Sequence, residues 1–211
     1  MDIPIRPPHC LAANADDDVR FFVGVLCIDI RIVGRTEDCG RIHQEGTKTK
    51  RLRIELRLAA IFFGGACAGL GFSWATFCDL RFVDRSAKFV TSFSPRGLIA
   101  EHGTSWMLPR LIGPSNALDL FWSSRKFDGE EAFRLGYANR LCEDGECVAD
   151  AQNYLREIAG TGAPNSIMMM KRQVYKHLNR ELGPAMAEST VWMDESLARD
   201  DFKEGVASFV E

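Results

Sequence analysis

Residues 64–80 read GGACAGLGFSWATFCDL, and the order of small and apolar residues in this stretch decides the fold. A segment poor in side-chain bulk, Gly64 to Gly71, runs directly into an apolar segment able to start a helix. Missing Cβ atoms let a ligand approach the backbone. A helix start aims free N–H groups and a positive dipole end at one point. Such a point binds a phosphate or stabilises a carbonyl oxygen as it becomes an oxyanion. The competing reading is glycine-permitted close packing of a helix on a strand.

Around this stretch the chain has the composition of an enzyme domain. It has 211 residues, enough for one good core and a helical appendage. Hydrophobic residues make up 46% and charged residues 26%, both ordinary for globular proteins. A net charge of −3 argues against a nucleic-acid or anionic-membrane partner. No apolar run reaches the ~18–20 residues that span a bilayer, and the first residues lack the apolar core of a secretory leader. The seven cysteines show no paired spacing, and no His or second pair completes a zinc set with Cys142 and Cys147. Reduced thiols and a cytoplasmic location are the expectation.

From Leu58 onward, strand and helix patterns alternate. Leu58–Phe63, Leu80–Val83 and Lys88–Val90 read as short strands. Phe72–Phe77, apolar on all sides, reads as a buried helix. Helices are expected over Gly103–Leu111 and Ser115–Ser123, separated by Gly113-Pro114. Asp128 followed by Glu131 fits a capping box. Glu146–Ile158, Ser166–Leu178 and Pro184–Leu197 read as further helices, with a break over Gly160–Pro164. Interleaved short strands and helices predict α/β layering.

Several segments, in order and at matching spacing, resemble the crotonase superfamily, the enoyl-CoA hydratase/isomerase family. Gly65-x-x-x-Gly69-x-Gly71 resembles the second half of that family's oxyanion hole. Cys78-Asp79-Leu80-Arg81 resembles the strand after its first active-site helix, and Ala87-Lys88-Phe89 its A-x-F signature. Arg96–Ile99 followed by Leu108–Gly113 resembles its LPRLVG region. Phe127–Ala132 and Leu135–Ala138 resemble its EA…LGLV segment, and Met170 to Phe209 its C-terminal helices. The resemblance covers residues 58–211. It implies a crotonase-like stacked ββα spiral core, α/β in class, with a C-terminal helical region. Residues 1–57 would be an irregular part of the core, 58–160 the core with a CoA-ester site, and 161–211 the helical region.

The resemblance also implies chemistry. Leu70 N–H would donate to a thioester oxygen, Gly69 and Gly71 would permit the approach, and Ala66 and Ala68 would line the pantetheine path. Hydratases of the family use two Glu as acid and base; those positions here are Ser73 and Phe93. Glu101, eight residues beyond Phe93, stands where some isomerases of the superfamily carry an acid, and His102 beside it is a lesser second base. The implied substrate is an acyl-CoA thioester, with no metal or redox cofactor, since CoA belongs to the substrate. Family members assemble as trimers or dimers of trimers, which implies a homotrimer or hexamer.

The N-terminal quarter departs from the pattern. Residues 22–33 read as a strand; residues 34–57 read as a polar loop or strand edge, basic at Lys48, Lys50, Arg51, Arg53 and Arg57. Asp16–Arg20 resembles the approach to the loop that supplies the family's first oxyanion N–H, with Gly24 or Gly34 as stand-ins. A deletion or shifted frame around residues 21–60 would account for this, and a catalytically impaired paralogue that only binds acyl-CoA or oligomerises is the alternative expectation. Gly71-Phe72-Ser73-Trp74-Ala75 also matches a serine-hydrolase elbow, although the glycine segment makes its turn too long. Gly69-x-Gly71 lacks the third glycine of a dinucleotide fingerprint.

Overall fold

The computed structural model of the chain describes His9–Cys10, Val23–Val33 and residues 53–210. Asp16–Arg20, Gly34, Lys48, Lys50 and Arg51 lie outside the described residues. Two compact units divide the chain, one containing Arg57–Leu155 and the other Arg156–Glu211.

Two sheets and the helices between their strands make up most of the first unit. The five-stranded sheet has the order β1 (His9–Cys10), β2 (Val23–Val33), β3 (Arg53–Phe63), β5 (Leu80–Asp84), β8 (Arg140–Cys142). The three-stranded sheet has the order β4 (Ala66–Ala68), β6 (Lys88–Val90), β7 (Phe127–Asp128). β3 pairs in parallel with β5, Ala60 opposite Leu80, and β5 pairs in parallel with β8. β4 pairs in parallel with β6, Ala66 opposite Lys88. Each spiral turn therefore places one strand in each sheet before a helix: β3–β4–α1 (Leu70–Thr76), then β5–β6–α2 (Thr104–Ile112) with α3 (Pro114–Ser123). This is the stacked ββα core that the resemblance implies. Parallel neighbours need such crossovers, because no tight turn can join them.

Aromatic rings fill the space between the sheets and α1. Phe63 meets Phe89 edge to face at 5.2 Å, and Phe72 stacks on Tyr137 at 5.0 Å. Val83, Leu108 and Leu120 complete a fully buried centre. At α4 (Gly129–Arg134), Asp128 Oδ1 accepts from Glu131 N–H at 3.0 Å, so the N-cap forms as expected. The reciprocal half of the capping box does not. The Glu131 carboxylate instead receives two bonds from Arg125, at 2.8 and 2.9 Å, and one from Arg134 at 3.0 Å.

The second unit carries the end of α5 (Cys147–Thr161), then α6 (Pro164–His177), α7 (Leu182–Leu197) and α8 (Asp200–Val210). Pro164 sits at the first turn of α6, where its missing N–H costs nothing. No residue of α6 or α7 is buried. Among the described residues no helix is long and apolar enough to cross a membrane.

Candidate functional site

The residues that the sequence singles out as a candidate site lie where β4 ends and α1 begins. Ala66 and Ala68 are half-buried, while Cys67 between them is buried, as the two-residue period of a strand requires. Burial pushes the Cys67 thiol up, and the neighbouring Cys78 adds to the shift. Cys67 therefore stays a protonated thiol at neutral pH and packs as a small hydrophobe. Gly69 extends the ladder by donating its N–H to Val90 O at 3.3 Å, then turns the chain with φ 52°. That left-handed conformation is the reason for glycine at position 69.

Gly69 is the N-cap of α1, and no side chain caps the helix there. The first intrahelical bond runs from Ser73 N–H to Gly69 O at 3.0 Å. The N–H groups of Leu70, Gly71 and Phe72 precede it and are the donors a helix start leaves without an intrahelical acceptor. The surroundings of the glycines decide between the two readings of this stretch. Among the described residues, chain neighbours and the helix's own backbone aside, a Cβ built on Gly69 or on Gly71 meets no atom within 4 Å. Close helix-on-strand packing is therefore not what these glycines serve. Gly71 lies inside α1 without a positive φ, so neither conformation nor packing calls for glycine there.

α1 is not the uniformly buried helix that its sequence predicts. Phe72, Ser73, Ala75 and Thr76 face the core, but Leu70 is 45%, Trp74 56% and Phe77 42% exposed. The apolar run conceals an amphipathic division, because the outer face uses large apolar residues too.

Both positions that the resemblance assigns to hydratase acids are closed. Ser73 is fully buried and donates its hydroxyl to Gly69 O at 3.3 Å. This also removes the serine-hydrolase reading, since an elbow holds its serine exposed. Phe93 is buried, with its ring 6.1 Å from that of Phe121. Tyr137 is fully buried, and burial pushes its phenol up, so it holds its proton at neutral pH.

Glu101 stands just before α2 and is partly exposed; its carboxylate lies 3.4 Å from His102 Nε2. His102 (φ 52°) and Gly103 (φ 75°) are consecutive left-handed residues. A Cβ at Gly103 would come within 2.9 Å of the Phe77 ring, so the segment carrying Glu101 is tied closely to α1. Among the described residues no three His, Cys, Asp or Glu side chains gather as a metal's ligand set.

The enoyl-CoA hydratase/isomerase family model matches residues 52–211. The chain is 30% identical over 146 residues to a probable enoyl-CoA hydratase of Rhizobium meliloti, covering 69% of this chain and 56% of that one. It is 24% identical over 162 residues to a short-chain-enoyl-CoA hydratase of Clostridium acetobutylicum, covering 77% of this chain and 62% of that one. A solved enoyl-CoA hydratase structure from Geobacillus kaustophilus superposes with a TM-score of 0.66 at 27% identity, over 70% of this chain and 57% of that one. A probable enoyl-CoA hydratase/isomerase from Mycobacterium abscessus superposes with a TM-score of 0.68 at 24% identity, over 70% and 60%, which speaks to the fold. The fold and the glycine-bordered helix start define a crotonase-type protein. This chain belongs to the enoyl-CoA hydratase/isomerase family, and it spans little more than half the length of the curated relatives it matches.

Proposed function

We propose that this chain binds an acyl-CoA thioester at the start of α1 and stabilises its enolate through the Leu70 N–H. Gly69 and Gly71 permit the approach, and Ala66 and Ala68 line the path of the pantetheine arm. The supporting observation is the open space beside Gly71. A glycine inside a helix costs about 0.5–1 kcal/mol relative to alanine. With no side chain at Gly71, the backbone at the start of α1 stays accessible to a ligand, as this reading requires.

Ser73 and Phe93 supply no carboxylate, so Glu101 is the acid/base group of this reading, and a proton shift along the acyl chain is favoured over addition of water. CoA enters as part of the substrate, and the chemistry needs no further cofactor. The exposed apolar faces of α6 and α7 support assembly into a homotrimer or hexamer. Binding without turnover is the second reading, favoured by the burial of Ser73 and Phe93.

Gly71→Ala tests the proposal. Its urea midpoint should rise, by about 0.5–1 kcal/mol of stability, while acetoacetyl-CoA affinity measured by calorimetry should fall at least tenfold. Unchanged affinity in a stabilised variant would remove the thioester site from this position.

A further inference from the structure

Cys142 is the last residue of β8 and Cys147 the first of α5. The turn between them reverses the chain and brings the two thiols together. Glu146 donates its N–H to Glu143 O at 3.0 Å, and Gly145, with φ 88°, supplies the left-handed conformation that the reversal needs. The turn is tied to the end of β5. Gly145 N–H donates to Asp84 Oδ2 at 2.9 Å, and Arg85 N–H donates to Cys142 O at 3.2 Å. Glu143 to Glu146 are exposed, whereas the two cysteines that flank them are buried. The Cys147 thiol hydrogen-bonds to the Cys142 sulfur, and Phe63 N–H donates to the Cys147 sulfur. The contact with Cys142 pushes the Cys147 thiol up, and burial adds to the shift. All these groups belong to the first unit, and neither cysteine takes part in the proposed thioester site.

We infer that Cys142 and Cys147 form a reversible disulfide when the chain meets a low-molecular-weight disulfide such as oxidised glutathione. Two sulfurs already in hydrogen-bond contact need little backbone movement to reach bonding distance. One cysteine, as its thiolate, attacks the small disulfide, forms a mixed disulfide and expels one small thiol. The other attacks the cysteine sulfur of that mixed disulfide and expels the second. The two electrons that the cysteines lose reduce the small disulfide to two thiols, which also take up the two protons. A protonated thiol is a poor nucleophile, so the pair stays reduced until the exposed turn opens to solvent. The bridge then fastens the start of α5 to the end of β8.

The test is mass spectrometry of the folded full chain after incubation with oxidised glutathione. The protein is quenched in acid, unfolded with iodoacetamide and digested with trypsin. The tryptic peptide 141–156 contains Cys142 and Cys147 and no other cysteine. Most of it should appear two hydrogens lighter than the reduced peptide and without an alkyl group. Excess reduced glutathione added before quenching should return it to the doubly alkylated form. In Cys142→Ala and Cys147→Ala, checked for folding by circular dichroism, the lighter peptide should vanish. A wild-type peptide that stays doubly alkylated overturns the inference. So does a peptide recovered as a stable glutathione adduct, or one bridged to another cysteine of the chain.

Discussion

A Cβ placed on Gly129 would lie 2.0 Å from the carbonyl oxygen of Asp84. The two residues belong to different elements, the start of α4 and the end of β5, and their backbones touch because neither carries bulk at the contact. The contrast with Gly71 is instructive. One glycine is held by the fold; the other faces open space among the described residues.

Gly129→Ala should therefore destabilise the protein by about 1–3 kcal/mol, toward the upper end because a backbone oxygen cannot rotate out of the way. Urea unfolding followed by circular dichroism measures this. A midpoint within error of wild type would contradict the contact.

The Glu131 carboxylate makes the stability of the first unit depend on acid. Its hydrogen bonds to Arg125 hold it below the ordinary glutamate value of 4.5, against partial desolvation. The unfolded chain thus binds this proton more readily, and stability rises with pH in that range. The contribution is complete above about pH 4.5 and is lost as pH falls through the window below it. In Glu131→Gln, urea midpoints measured from pH 6 down to pH 3 should fall less steeply than in wild type. Parallel curves would contradict the assignment.

Much of this fold is legible in the sequence, and the omissions have physical causes. Lys88–Val90 matches the strand read there, and α2, α3, α5, α6 and α7 fall within a few residues of their patterns. β4, with three residues, is too short for a period of two to register, and the same holds for β8. β3 begins at Arg53 rather than Leu58, because Ile54 and Leu56 alternate with charged residues in a stretch read as a polar loop or strand edge. α8 was hidden behind the break at Arg199, although Phe202 and Val206 have helical spacing. At the candidate site, the glycine pattern coincides with the junction of β4 and α1. The sequence cannot say whether the space beside Gly71 is filled, because that depends on segments far away in the chain.

Glu101→Gln should lower 3-enoyl-CoA isomerisation by about 10²–10⁴-fold, the usual contribution of a positioned acid or base. Acetoacetyl-CoA affinity should be unchanged. Equal turnover in the two proteins would remove Glu101 from the reaction.

Light scattering at tens of micromolar protein should give three or six times 23.6 kDa. Met170, Val174, Leu178, Met186, Val191 and Met193 are exposed on α6 and α7, a face that assembly would cover. A mass of 23.6 kDa would contradict assembly through these helices.

The most direct measurement concerns the single N–H on which the account turns. Leu70 is the first residue of α1, a position where proline fits a helix and its missing N–H leaves no helical bond unmade. Leu70→Pro and Leu70→Ala should both fold, with superimposable circular dichroism. Calorimetric titration with acetoacetyl-CoA should give near-wild-type affinity for Leu70→Ala. For Leu70→Pro it should show a loss of about 10–100-fold, the worth of one hydrogen bond to a charged oxygen. A folded Leu70→Pro that binds the thioester as tightly as Leu70→Ala would contradict the account.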